Sequence, residues 1–111
     1  MTADEFRHMA LDIPDAVEQA HMGHPDFRLG GKIFASLGAP DDDWGMVKLT
    51  PEQQASFIDQ KPKMFQPASG AWGRQGCTSV HLTSATKTLL RSALLAASKN
   101  VALKKPKRKK S

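Results

Sequence analysis

Two short apolar runs on either side of a double glycine form the clearest pattern in the chain. They occupy residues 26–29 and 32–37, with Gly30 and Gly31 between them. Glycine adopts positive φ without steric cost, which a two-residue hairpin link requires. The pattern therefore predicts a β-hairpin. Pro25 should lie at the start of its first strand, because proline has no N–H to donate inside a ladder.

Helical spacing and capping residues predict one helix near the N-terminus and another in the middle of the chain. The first begins after the N-cap Thr2 and ends near Asp12, because Pro14 follows. The second begins after Thr50, with a proline at its first helical position, and ends at about residue 58 or 59. The apolar side chains expected to face the core are Phe6, Met9, Ala10, Ile13, Ala55 and Ile58, with Phe57 nearby.

A third helix is predicted close to the C-terminus. Thr83 or Ser84 is its N-cap, and it runs to about Asn100. Apolar residues recur at i, i+3, i+4, i+7 and i+11, so one stripe should pack on the sheet. This stripe consists of Leu90, Ala93, Leu94, Ala97 and Val101.

Three further segments are predicted to be strands, namely residues 44–49, 63–66 and 77–82. Residues 67–76 form a long turn in this interpretation, and residues 16–22 are irregular chain or a short edge strand. Together the elements predict the α+β class. The expected architecture is a two-layer sandwich, with an antiparallel sheet and helices packed mainly on one side.

The hairpin pattern does not determine which face of the sheet is exposed to solvent. With a two-residue link, Leu29 pairs with Lys32 and Phe27 with Phe34, which puts Phe27 and Phe34 on one face and Ile33 on the other. Both faces then carry apolar side chains. Either the first helix covers part of the second face, or two subunits bury it together.

Composition narrows the class of protein. The 111 residues are enough for one hydrophobic core, so we expect one domain over residues 1–103. No apolar run approaches the roughly 20 residues that cross a bilayer. Cys77 is the single cysteine, which excludes an intrachain disulfide. We therefore expect a cytoplasmic location and no membrane contact.

The charge of the chain is concentrated at its C-terminus. The net charge is +5, but six of the sixteen basic residues lie in residues 104–110. Residues 1–103 carry ten basic and eleven acidic residues, a net charge of −1. The segment 104–111 has no hydrophobic residue, so we expect a basic tail that is disordered when free.

Several motifs in order resemble the MmcQ/YjbR-like family. They are GHP-x-F-(x)4-K-I-F-A at residues 23–35, Val47-Lys48-Leu49, Ala71-Trp72-Gly73 and a Ser-Ala-Leu-Leu run in the last helix. The resemblance implies a two-layer α+β domain with the element order α-β-β-β-α-β-β-α, described as a double wing and often labelled DNA-binding. It brings no catalytic motif, so it implies a protein that is not an enzyme.

Candidate chemistry elsewhere in the chain is sparse. His21 and His24 with Asp26 lack a further metal ligand, and Gly23 and Pro25 interrupt any helix that could align the two imidazoles, so a structural role at the hairpin entrance is favoured. A second candidate, the pair Cys77 and His81, would be about 13 Å apart along a strand, too far for catalysis. We expect no metal and no cofactor.

Basic residues are the candidates for binding nucleic acid through its phosphates. They are Arg28, Lys32, Lys48 and Arg74 in the body, and Lys104, Lys105, Lys107, Arg108, Lys109 and Lys110 in the tail. Trp44 and Trp72 either stack on bases or belong to the core or its rim. The plainer interpretation of the body residues is solvated charge balanced by Asp26, Asp41, Asp42 and Asp43.

Two hypotheses follow from the sequence. In the first, the chain binds DNA weakly and without sequence preference, mostly through the tail, as a monomer or weak homodimer. In the second, it is a protein-interaction or adaptor module that uses the open sheet face. A homodimer is one form that this module could take.

Overall fold

A computed structural model of the protein describes residues 1–21, 23–38 and 41–103. Its centre is a six-stranded antiparallel sheet with the strand order β1-β2-β3-β4-β6-β5. The strands are β1 Val17–His21, β2 His24–Leu29, β3 Lys32–Leu37, β4 Trp44–Lys48, β5 Phe65–Pro67 and β6 Cys77–His81. The helices are α1 Ala3–Leu11, α2 Pro51–Gln60, α3 Gly70–Arg74 and α4 Lys87–Leu103. The predicted tail, residues 104–111, lies outside the described residues.

The predicted α+β architecture and the order of its main elements are confirmed. Two elements are added to it. The segment before the hairpin forms the edge strand β1, and the predicted turn between β5 and β6 contains the short helix α3. Both predicted capping boxes are present, since the hydroxyl of Thr2 accepts from the amide of Glu5 and that of Thr50 from the amide of Gln53.

The predicted start of α4 is two or three residues too early. Leu82–Ser84 forms a 3₁₀ turn, and the helix begins at Lys87 rather than after Thr83 or Ser84. Leu82 is buried, and its carbonyl accepts from the N-terminal ammonium group of Met1 at 3.1 Å. The chain therefore has to turn tightly after β6 before the helix can start. The helix continues to Leu103 instead of ending near Asn100.

The hairpin contains a β-bulge that the sequence analysis did not predict. Leu29 pairs with Lys32 across the two glycines, as expected, but Phe27 pairs with Ala35 and not with Phe34. Because β3 contributes one extra residue here, Phe34 and Ala35 are both fully buried. The predicted Phe27–Phe34 pairing is therefore wrong, although both rings belong to the core.

The bulge also settles which face is open. Beyond it, Ala35 and Leu37 join Phe27 on the face that the helices cover, where all three are buried. On the opposite face, β2 carries Asp26 and Arg28, and β3 carries Ile33 and Ser36 opposite them. We call this second surface the open face.

The helices α1, α2 and α4 pack on the same side of the sheet. The predicted apolar stripe of α4 is buried in full, and its residues Leu90, Ala93, Leu94, Ala97 and Val101 join the core. The ring of Phe6 in α1 lies 6.0 Å from that of Phe27. In α2 the buried residue is Phe57, whose ring lies 5.2 Å from that of Phe65.

The prediction that α2 buries Ala55 is wrong, because Ala55 is exposed. Ile58 is half-buried and packs against the core, so that part of the prediction is confirmed only in part. This helix packs against the short edge strand β5 through its single large ring at Phe57, so less of its surface is covered than an amphipathic stripe suggests. Among the helices of the described ranges, none is long and apolar enough to span a lipid bilayer.

Replacing Gly45 with alanine should destabilise the fold. A Cβ atom at this position would lie 2.8 Å from Cε2 of Phe6 and 3.2 Å from the carbonyl oxygen of Ser36. We expect Gly45→Ala to lower the free energy of unfolding by about 1–2 kcal/mol in urea titrations, because overpacking outweighs the lost flexibility of the unfolded chain. A double-mutant cycle with Phe6→Leu should show coupling between the two sites. A Gly45→Ala protein as stable as the parent would contradict this packing.

Glu5 should contribute stability that is lost in acid. The hydrogen bond with the backbone N–H of Thr2 is the main cause that lowers the pKa of this carboxyl below its ordinary value of 4.5, and the nearby ammonium of Lys87 lowers it further. A carboxyl with a lowered pKa stabilises the fold above its unfolded-state pKa, and that contribution disappears as the pH falls through the folded-state value. The free energy of unfolding of Glu5→Gln should therefore fall less than that of the parent between pH 7 and about pH 3. Equal losses in the two proteins would contradict the assignment.

Candidate nucleic-acid interface

The four basic residues predicted in the body lie toward the same end of the sheet. Because neighbouring strands are antiparallel, the Gly30-Gly31 turn, the end of β4 and the start of β6 all lie at this end. Arg28 and Lys32 flank the turn, and Lys48 ends β4. Arg74 ends α3, three residues before β6 begins. We call this region the basic end.

The C-terminus of α4 reaches the basic end as well. The side-chain amide of Asn100 donates to the carbonyl of Lys48 at 3.0 Å and to Oε1 of Gln53 at 2.8 Å. Gln53 is the third residue of α2 and closes its capping box. This contact ties the last turns of α4 to the start of α2 and the end of β4. Within the chain, the six tail residues follow directly from there.

Arg28 is already neutralised within the body. Its Nε donates to Oδ1 of Asp26 at 2.7 Å and its Nη2 to Oδ2 at 3.1 Å, a two-pronged ion pair on the open face. Asp26 is only 2% exposed. The hydrogen bond with Asp26 is the main cause that raises the pKa of the Arg28 guanidinium above its usual range. Arg28 therefore contributes little net positive charge to the basic end, because Asp26 neutralises its guanidinium group.

The other three residues are placed differently. Lys48 is half-buried on the open face opposite Cys77, and two interstrand spacings, about 10 Å, separate its strand from that of Arg28. Lys32 is exposed at the turn and alternates to the other face. Arg74 is exposed on α3. The cationic groups thus surround the basic end and do not form a flat patch on one face.

The two tryptophans are at opposite ends of the sheet. Trp72, in α3 beside Arg74, is 64% exposed, which is unusual for so large a ring. Trp44 is half-buried at the far end, where its ring lies 4.6 Å from the imidazole of His81. Of the two, Trp72 is therefore the ring available at the basic end.

A groove of about 490 Å³ opens at the basic end. It lies where the end of β4 meets the start of α2 and the last turns of α4, and its polar lining includes Lys48, Thr50, Gln75 and Asn100. The floor is largely apolar, through Leu49 and Val101. The hydroxyl of Thr50 is engaged in the capping box of α2. Lys48 is the basic residue of the groove lining.

The acidic side chains proposed to balance the basic ones divide into two groups. Asp41, Asp42 and Asp43 are exposed in the turn between β3 and β4, at the end of the sheet farthest from the Gly30-Gly31 turn. They are not close to the basic end. Asp26, by contrast, binds Arg28 directly. Asp26 therefore balances the charge of Arg28 locally, whereas the three aspartates of the β3–β4 turn lie at the far end of the sheet.

Metal-binding constellations are not found in the part of the chain that the structure describes. No group of three or more His, Cys, Asp or Glu side chains there could hold a metal ion. The imidazole of His24 packs against Gly38, where an added Cβ would lie 2.7 Å from Nδ1. This contact fits the structural role predicted for His24 at the hairpin entrance. Cys77 and His81 are at opposite ends of β6.

Comparison with known proteins places the chain in a family. The family model YjbR matches residues 11–98. The chain belongs to the YjbR family. This confirms the resemblance found in the sequence, and YjbR is not a known enzyme family.

A solved structure shares the fold of this YjbR chain. It is the crystal structure of Deinococcus radiodurans protein DR2400, a DUF419 domain of the YjbR type, with a TM-score of 0.77 and 19% sequence identity. The similarity covers 93% of this chain and 80% of that one. At this identity the likeness concerns the fold alone. Among curated proteins, no significant match is found.

Sequence reasoning named the basic residues of this YjbR chain but missed the polar groups that organise them. Asn100 was predicted only as the approximate end of the last helix and Gln75 only as part of the long turn, because their contacts depend on elements that meet only in the folded chain. The pairing of Asp26 with Arg28 had a usable signal, since residues two apart on a strand share a face. That signal was not used for the ion pair.

Replacing Arg28 should cost more stability than replacing a cation that is fully exposed. Arg28→Gln would leave the buried carboxylate of Asp26 without its charged partner, which is unfavourable in a low-dielectric site. We expect a clear fall in the urea midpoint for Arg28→Gln and little change for Arg74→Gln, the matched control. In the double variant Asp26→Asn/Arg28→Gln, part of the loss should be recovered. Equal midpoints for the two single variants would contradict a stabilising pair.

Proposed function

We propose that the protein binds nucleic acid weakly, through the phosphate backbone and without sequence preference. The basic segment Lys104, Lys105, Lys107, Arg108, Lys109 and Lys110 supplies most of the affinity, and Lys32, Lys48 and Arg74 orient the backbone, with Arg28 as a hydrogen-bond donor. The proposal treats residues 1–103 as one domain and residues 104–111 as an appended binding segment. It also places the protein in the cytoplasm, which suits a chain with a single, buried cysteine.

One observation supports this proposal above the others. The last turns of α4 are held at the basic end by the contacts of Asn100 with Lys48 and Gln53. The described chain therefore ends close to the body's own candidate cations, and the basic residues 104–110 follow in the sequence. A single stretch of nucleic acid can contact both groups, which raises the effective concentration of each for the other.

The charge balance of the body explains why the tail has to dominate. Residues 1–103 have a net charge of −1, and the charge of Arg28 is cancelled locally by Asp26. Non-specific affinity comes from the number of phosphates that cations neutralise. Lys32, Lys48 and Arg74 supply three positive charges in the body, fewer than the six in the tail. Trp72 adds a stacking surface that favours single strands.

The salt dependence of binding tests the proposal. We expect the full chain to bind a mixed-sequence DNA duplex with a slope of log K against log salt of about −5 or steeper, because six engaged phosphates contribute about −0.9 each. A chain ending at Leu103 should bind far more weakly and with a shallower slope. Fluorescence anisotropy at several salt concentrations measures both, and circular dichroism checks that the shortened chain is folded.

A matched pair of variants tests the role of the body. Lys32→Gln/Arg74→Gln removes two charges at the basic end, whereas Lys61→Gln/Lys63→Gln removes two charges at the other end of the sheet. We expect the first pair to weaken binding by the full chain more than the second. If truncation at Leu103 changes nothing, the tail does not supply the affinity. If the two pairs behave alike, the body does not orient the ligand.

The competing function, a protein-interaction module, rests on the open face. Ile33, Trp44 and Met46 are half-buried there, and the described helices α1, α2 and α4 pack on the other side. A protein that binds no nucleic acid even at low salt would favour this second function over the first.

A further inference from the structure

β1 is an edge strand, and within the described part of the chain no strand pairs with its outer edge. Val17, Glu18, Gln19 and Ala20 are all exposed, and Val17 is 49% exposed. One side of the strand pairs with β2 in a continuous register without a bulge. A strand edge of this kind presents backbone N–H and C=O groups that are ready to pair with another strand.

The two edges of the sheet are protected to different degrees. The other edge strand, β5, has three residues and ends in Pro67, which has no N–H to donate. β1 has five residues and contains no proline, lysine or bulge, the devices that normally prevent edge-to-edge association. The edge of the sheet at β5 is therefore protected against pairing with another strand, and the edge at β1 is not.

Pro25 determines which backbone groups of β1 point outward. It lies opposite Ala20. Hydrogen-bonded and non-hydrogen-bonded pairs alternate along an antiparallel ladder, and a proline cannot complete a hydrogen-bonded pair. Ala20–Pro25 is therefore a non-hydrogen-bonded pair, while Gln19–Asp26 is a hydrogen-bonded one. It follows that the N–H and C=O groups of Glu18 and Ala20 point away from β2, toward solvent.

The outward N–H and C=O groups of Glu18 and Ala20 match those of a second copy of β1. If a second β1 runs antiparallel with Gln19 opposite Gln19, then Glu18 of each copy lies opposite Ala20 of the other. Each Glu18–Ala20 pair exchanges two hydrogen bonds, so four bonds form about one two-fold axis. A register shifted by one residue would bring inward-pointing groups into the contact and lose these bonds.

The side chains of β1 also suit this register. Glu18, on the helix side, is held by Nε of Arg7 at 3.0 Å. The residue that would face it from the other copy is Ala20, which is small and uncharged and leaves room for the ion pair. On the open face the two Gln19 side chains meet at the axis. No like charges are opposed, since Glu18 faces alanine and not Glu18.

We propose that β1 is a homodimerisation edge, at which two copies of this chain pair antiparallel about Gln19 into one continuous twelve-stranded sheet. The two-fold axis is perpendicular to the sheet, so both helical layers lie on one side and both open faces on the other. The contact is a single strand on each copy, and the dimer is therefore reversible and concentration-dependent. This dimer does not rest on the proposed binding of nucleic acid, because none of the residues proposed to contact nucleic acid lies on β1.

Cysteine cross-linking provides a direct test. At the axis, the two Gln19 Cα atoms form a non-hydrogen-bonded pair about 4.5 Å apart, within the range that a disulfide can bridge. The matched control is Val17→Cys, on the same face but two residues from the axis, where the two Cα atoms would be about 13 Å apart. Under mild oxidation of the full chain, Gln19→Cys should give a covalent dimer and Val17→Cys should not. The buried Cys77 is common to both variants. Equal cross-linking, or none in either variant, would overturn the proposal.

Proline at position 20 gives a second, non-covalent test. Ala20→Pro removes an outward N–H and leaves the pairing of β1 with β2 intact, because that N–H takes no part in it. Two of the four intermolecular bonds are lost, so the dimer dissociation constant should rise about tenfold or more in sedimentation equilibrium. Ala20→Ser keeps the N–H and should dimerise like the parent. A parent that is monomeric at every concentration, or an Ala20→Pro protein that dimerises equally well, would contradict the assignment.

Discussion

The pairing of β3 with β2 gains one residue between Ile33 and Ala35, and the packing of the chain depends on this bulge. Without it, strict alternation would send Ala35 and Leu37 to the face opposite Phe27. With it, all of them reach the helices, together with Phe34. The second face is then left with Asp26, Arg28 and Ser36 and with side chains that are only half covered. One inserted residue thus separates the buried layer beneath α1, α2 and α4 from the open face.

Features that depend on local chemistry could be predicted from the sequence, whereas the bulge could not. Turn and capping chemistry is local, so the double glycine and the caps Thr2 and Thr50 led to the correct hairpin link and helix starts. The periodic stripe of α4 is also a local signal, and it was correct. The bulge is not visible in the same way, because two adjacent apolar residues fit either register. Their placement depends on what Phe27 meets across the ladder and on the helices above it.

In the candidate site, the identity of the basic residues was predictable and their environments were not. The basic residues could be named from composition, and the topology then brought Arg28, Lys32, Lys48 and Arg74 to one end of the sheet. Their separate environments could not be read in advance. Arg28 is neutralised by Asp26, and Lys48 lies in a groove that only the meeting of α2 and α4 creates. Spacing along the chain predicts faces of single elements, whereas charge pairing and grooves depend on contacts between elements.

The positions of the two chain ends have a practical consequence for handling the protein. The amino group of Met1 is anchored at the carbonyl of Leu82, just past the end of β6, while the last turns of α4 reach the opposite side of the molecule near Lys48. About five residues of strand, roughly 17 Å, separate these two regions. Immobilisation through an N-terminal fusion would therefore leave the groove and its surroundings facing the solution. Immobilisation directly after Leu103 would place the support close to them.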